Sequence, residues 1–127
     1  MGQQQLLLII LGVIIVGIAI AVGLSLFSAQ SVQSNRDAII NDLNNLAAQA
    51  YQFRIRPSSM GGGQGDYTTF SIPSKMKTNE NGTYTAAPTT NTIVFTAVSA
   101  QNASNTIKVT IDSGGKLGTW VYSGDFQ

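Results

Sequence analysis

The chain contains no cysteine and no histidine. Disulfides, thiolate metal sites and imidazole acid–base chemistry are therefore outside its means, and the redox compartment is left open. Charge is scarce as well: 10 % of the residues, seven basic against six acidic. A net charge of +1 supplies no long-range attraction for nucleic acid or an anionic surface, so no nucleic-acid partner is expected. Asp66, Glu80, Asp112 and Asp125 are too scattered to form a carboxylate pair and read as solvated turn residues. No catalytic residue, cofactor or metal is indicated, and the composition speaks against an enzyme.

What the chain does have is one long apolar run. Leu6 to Phe27 reads LLLIILGVIIVGIAIAVGLSLF, in which Ser25 alone has a side chain able to hydrogen-bond. As an α-helix, 22 residues span roughly 33 Å, the thickness of a bilayer's hydrocarbon core. A chain of 127 residues has room beside it for one domain of about 100 residues, which could not cover such a helix on all sides. Its surface must meet lipid or the same helix of other copies. A removable secretory signal would have a basic leader and a shorter apolar core. Met1-Gly2-Gln3-Gln4-Gln5 carries no Lys or Arg, and Ser28-Ala29-Gln30-Ser31 mimics a cleavage site only loosely, so the segment is expected to be retained. Gly17, Ala21 and Ser25 fall four apart, as do Ala19 and Gly23, which aligns each set on one helix face and suits close helix–helix approach.

Ser28 to Arg56 contains no Pro and no Gly, so nothing stops the helix there. Ile39, Leu43, Leu46, Ala50 and Phe53 recur at 4-3-4-3 spacing, widened by Ile40 and Ala47 into one apolar stripe. Asn41, Asp42, Asn44, Asn45, Gln49 and Gln52 are expected on the polar face, and Arg36, Asp37 and Asp42 read as solvated charges. Pro57 and Gly61-Gly62-Gly63 end the helix. The spacing thus predicts one helix from near Gln3 to near Arg54.

Beyond Asp66 the period becomes two, and strands are expected over Asp66–Ile72, Gly82–Ala86, Thr92–Ser99, Thr106–Ile111 and Leu117–Tyr122. Ser113-Gly114-Gly115-Lys116 is a tight-turn sequence and Asn102-Ala103-Ser104-Asn105 a longer polar turn. Gly114-Gly115-Lys116 has a superficial likeness to a phosphate loop, but Leu117 stands at the Ser/Thr place and the glycine spacing is wrong. The fold class is α+β: a long N-terminal helix, apolar in its first half and amphipathic in its second, on a small antiparallel β-meander. Four regions follow: 1–27 the apolar helix, 28–56 its amphipathic continuation, 57–65 a Gly-rich linker, and 66–127 the sheet-bearing head. Asn81-Gly82-Thr83 and Asn102-Ala103-Ser104 match the N-glycosylation acceptor pattern. Tyr51 and Phe53 read as core or subunit contacts.

An apolar N-terminal helix that continues as an amphipathic one and carries an antiparallel sheet resembles the type IV pilin and pseudopilin family. Leu6-Leu7-Leu8-Ile9-Ile10 falls at the family's Leu/Ile-rich opening, and Gly12 and Gly17 flank the place of its helix-loosening glycine. Two features depart from it: Gln5 stands where the family usually has a glutamate that meets a neighbour's N-terminal amine, and the disulfide cysteines are absent. The glutamine oxygen can still accept a hydrogen bond from an ammonium group. The resemblance implies a homopolymer whose core is packed by Leu6, Leu7, Ile10, Gly12, Ile14, Gly17, Ala21, Gly23 and Ser25. Met1 and Gln5 would supply the N-terminal polar contact. It also implies processing by a prepilin peptidase, which leaves Met1 or Gln3 as the mature N-terminus. The precursor would sit in the cytoplasmic membrane, and an inner-membrane assembly platform would raise it into a cell-surface filament. Partial unwinding between Gly12 and Gly23 is expected in assembled subunits. The alternatives are a pseudopilin of a type II-like secretion system and a non-polymerising single-pass membrane protein whose small domain binds a partner.

Overall fold

A computed structural model describes residues 2–127 and divides the chain into two compact units, Met1–Gln33 and Ser34–Gln127. Helix α1 runs from Gln3 to Ile55, one residue beyond the expected end, and passes through Gly12, Gly17 and Gly23 without a break. It stops where Pro57 disfavours a further helical turn. The stretch 57–65 is a folded cap on the helix end. After the short 3-10 turn Ser58–Met60, the amides of Gly63, Gln64 and Gly65 donate to the carbonyls of Phe53, Arg56 and Arg54 at 2.8, 3.0 and 2.6 Å. Carbonyls that every helix end leaves unpaired are satisfied in this way. The chain passes so close here that a Cβ on Gly63 would lie 1.9 Å from the Asp66 carbonyl oxygen.

The head is a four-stranded antiparallel meander in the order β1-β2-β3-β4, with β1 Gly82–Pro88, β2 Ile93–Ser99, β3 Thr106–Ile111 and β4 Leu117–Ser123. Period two holds throughout β2 and β3. Ile93, Phe95, Ala97, Ile107, Val109 and Ile111 are buried, while Val94, Thr96, Val98, Lys108 and Thr110 lie on the more open face. The buried face meets the stripe Ile39, Leu43, Leu46, Ala47 and Ala50, which is buried too. Leu117, Trp120 and Tyr122 share one side only because β4 carries a bulge: Val109 pairs with Trp120, but Ile111 pairs with Leu117. One extra residue opposite Thr110 resets the alternation.

Two expectations fail. Asp66–Ile72 is not a strand. The Asp66 carboxylate accepts the Thr68 amide at 2.7 Å and also the Thr68 hydroxyl, and the Phe70 amide turns back to the Tyr67 carbonyl at 2.8 Å. Side-chain-to-backbone bonding of this kind competes with a ladder. The buried residues are accordingly Tyr67, Phe70 and Ile72, with Thr68 exposed. Asp42 is the second. It does not sit on a solvated polar face but points its carboxylate at three head-domain donors. Two short elements were not anticipated: the helical turn α2, Ser74–Lys77, and a C-terminal 3-10 turn, Gly124–Phe126, which buries Phe126.

The two halves of α1 should answer differently to truncation. Leu43 is fully buried and Leu24 is 64 % exposed. In the detergent-solubilised full chain, Leu43→Ala should lower head stability by about 2–5 kcal/mol, and Leu24→Ala should leave it unchanged. Urea unfolding followed by the fluorescence of Trp120, the sole tryptophan, reads both.

Candidate functional site

The apolar half of α1 has no cover of its own. Sixteen large apolar side chains between Leu6 and Phe27 are exposed. On the helix, Leu7, Ile10, Ile14, Gly17, Ala21 and Ser25 follow 3- and 4-residue steps and line a single straight stripe. Leu6 lies beside it, and Gly12 and Gly23 sit on other faces. A Cβ built on Gly12, Gly17 or Gly23 would meet nothing within 4 Å. The chain's own packing therefore does not demand these glycines, each of which costs about 1 kcal/mol of helix propensity against alanine. Gln5 is exposed in the first turn, its amide donating to the Gly2 carbonyl at 3.2 Å. Met1 lies outside the described residues. The helix is long and apolar enough to cross a membrane, and none of its most apolar window is buried.

In the head, a polar cluster that periodicity does not foretell ties the latter part of α1 to the sheet. Asp42 Oδ2 accepts Asn79 Nδ2 at 2.9 Å, Asn81 Nδ2 at 3.0 Å and the Tyr84 hydroxyl at 2.5 Å. Two turns earlier, Asn35 is 6 % exposed. Its Nδ2 donates to the Asn81 carbonyl at 3.0 Å, and its Oδ1 accepts the Ser99 hydroxyl at 2.6 Å. Asn79 completes the loop by accepting the amides of Asn81 and Gly82 on Oδ1. Partial burial pushes the Asp42 carboxyl up, but the hydrogen bonds from Tyr84, Asn81 and Asn79 outweigh it and hold the group below its ordinary value. Desolvation, then the hydrogen bond to Asp42, raises the Tyr84 hydroxyl far above its ordinary range. A period-3.6 reading places Asp42 on the polar side; only the 79–84 segment folding over that side makes it interior.

Two arginines of α1 face aromatic rings of the head. Arg36 lies 4.3 Å over the Tyr122 ring, which is stacked on Trp120. Arg54 donates to the Ser113 carbonyl at 2.6 Å and faces the Tyr67 ring. Phe53 joins Phe70 and Phe95 in an edge-to-face series, as a core role requires. Tyr51 closes over Gly115, whose φ of +79° and missing Cβ permit the β3–β4 turn. The two acceptor sequences part company: Asn81 is half-buried inside the Asp42 cluster, and Asn102 is exposed on the β2–β3 turn.

Comparison with family models, curated proteins and solved structures finds no match for this chain. The likeness therefore rests on form: a long apolar N-terminal helix whose latter part lies on a four-stranded antiparallel sheet. The architecture is pilin-like.

Acid should expose the Asp42 cluster. Because the folded carboxyl titrates below its unfolded value of 3.8, its contribution is present above that pH and is lost as pH falls through the lowered folded value. Asp42→Asn should flatten this acid limb of the stability curve. Tyr84→Phe, which removes one donor to a charged acceptor, should cost about 1.5–3 kcal/mol at neutral pH. Thermal unfolding of the full chain between pH 2 and 7 checks both.

Proposed function

We propose that this chain is a structural subunit of an extracellular, type IV pilus-like helical filament, assembled by bundling of its N-terminal helices. The observation that carries the reading is the apolar half of α1, uncovered on every side, joined to a head whose own core is complete. In this reading the precursor crosses the cytoplasmic membrane once with the head outside. A prepilin peptidase processes it, and an inner-membrane assembly platform lifts Leu6–Phe27 out of lipid and into a bundle of the same segments. Lipid and bundle are similarly apolar, so the exchange is close to balanced until packing contacts accumulate. Repeating a heterologous contact that does not close gives an open helical polymer. The three glycines, without use inside the single chain, serve close approach of neighbouring helices and local loosening of α1. The role is structural, with no catalysis assigned to the head.

Cryo-electron microscopy of material sheared from the cell surface tests this, together with mass spectrometry of the N-terminal peptide. The expected result is a fibre with Leu6–Phe27 at its axis, a helix ladder interrupted between Gly12 and Gly23, and Met1 or Gln3 as first residue. Ala21→Leu should reduce fibre yield at least tenfold while the membrane-inserted chain keeps its head stability. A chain found only in the membrane fraction would replace the filament with a single-pass anchor for a partner-binding head. A short periplasmic fibre would point instead to a pseudopilin.

A further inference from the structure

The two acceptor tripeptides have the same chemistry and opposite settings. At Asn81 the acceptor nitrogen and both backbone polar groups are committed. Nδ2 donates to Asp42 at 3.0 Å, the amide donates to Asn79 Oδ1 at 2.9 Å, and the carbonyl accepts Asn35 Nδ2 and the Ala100 amide, both at 3.0 Å. The next two residues open β1: Gly82 and Thr83 pair with Ser99 and Val98. Gly82 is pressed so close to β2 that a Cβ there would stand 2.3 Å from the Val98 carbonyl oxygen. Presenting this tripeptide to an enzyme would require peeling β1 from the sheet and taking two donors, Asn81 and Tyr84, from Asp42.

Asn102 is the reverse case. Residues 100–104 are all exposed, and the tripeptide projects from the β2–β3 turn. The Asn102 Oδ1 accepts the Ser104 amide at 2.9 Å, while Nδ2 has no partner among the described residues. The turn is anchored from below: the Asn105 amide donates to the Asn102 carbonyl at 3.0 Å, and the buried Asn105 side chain accepts the Asp125 amide at 2.8 Å. The acceptor nitrogen is thus free, outward and attached to a fixed base.

We infer that Asn102 is an N-glycosylation site of the folded head and that Asn81, despite its matching tripeptide, is not. This rests on the proposed function only in requiring that the head be exported. A transferase joins Nδ2 to C1 of the first sugar of a lipid-phosphate-linked donor. The N–C1 bond forms, the C1–O bond to phosphate breaks, the lipid phosphate leaves with the electron pair, and Nδ2 gives one proton to a base of the transferase. The product covers the β2–β3 end of the head with a polar, bulky group and leaves the Asp42 cluster intact.

The test is glycopeptide mapping by electron-transfer mass spectrometry. The full-length chain is taken from two fractions of the cell that produces it, the membranes and the sheared surface material. The expected result is a glycan on Asn102 in most molecules, none on Asn81, and loss of the increment in Ser104→Ala. Sugar on Asn81, or both asparagines bare in both fractions, overturns the inference. The filament reading fails separately, by absence of the chain from sheared fibres, and the membrane fraction still reports on Asn102.

Discussion

The exposed apolar surface of Leu6–Phe27 sets the conditions for everything else. Burying one large apolar side chain is worth about 1.5–3 kcal/mol, and sixteen such side chains stand uncovered here. Their sum is a few tens of kcal/mol, against about 5–15 kcal/mol for the net stability of a whole domain. No rearrangement of the head could offset that cost in water. The helix must therefore always be in an apolar phase, and the only choice open to it is which one. Polar backbone groups raise no objection, because an α-helix satisfies them internally in lipid or in a bundle alike.

The head meets the opposite requirement, since it must hold the second half of the same helix while remaining wet outside. Apolar contact along Ile39, Leu43, Leu46 and Ala50 supplies adhesion, but a stripe of aliphatic side chains against a sheet tolerates sliding. Directional bonds do not. Asn35 fixed to Ser99 and the Asn81 carbonyl, and Asp42 fixed to Asn79, Asn81 and Tyr84, allow one register of helix on sheet. Leaving any of these donors buried and unpaired would cost about 1–3 kcal/mol, so a slipped arrangement is penalised several times over. The cluster lies close to the residues where the chain divides into its two units.

Sequence periodicity carried the fold a long way. The buried stripe and the inward residues of β2 and β3 follow from spacing alone, because burial on one face imposes it, and the helix end follows from Pro57 and the glycines after it. Where the reading failed, local side-chain bonding or distant chain segments decided the matter. Asp66 captures Thr68 and turns a strand-like pattern into a loop. Asp42 looks solvated until residues 79–84, far away in sequence, close over it. Grouping Leu117 with Trp120 broke strict alternation and is realised only through the bulge in β4. At the candidate site the apolar helix was fully legible. The different settings of Asn81 and Asn102 were not, since identical tripeptides say nothing about which nitrogen the fold has already used.

The glycines of the apolar half show the same logic from the other side. Gly82 and Gly63 are explained within the chain, for a Cβ on either would strike a carbonyl oxygen. Gly12, Gly17 and Gly23 are not, because each faces open space. A helix optimised only to span lipid would place alanine or leucine there and gain propensity. Retaining residues that weaken the helix makes physical sense where another backbone must come close, or where the i→i−4 ladder must open without losing its apolar solvent. Close approach would serve any pairing of these helices in an apolar phase, and both needs would be met together in the proposed passage of α1 from lipid into a bundle of its own kind.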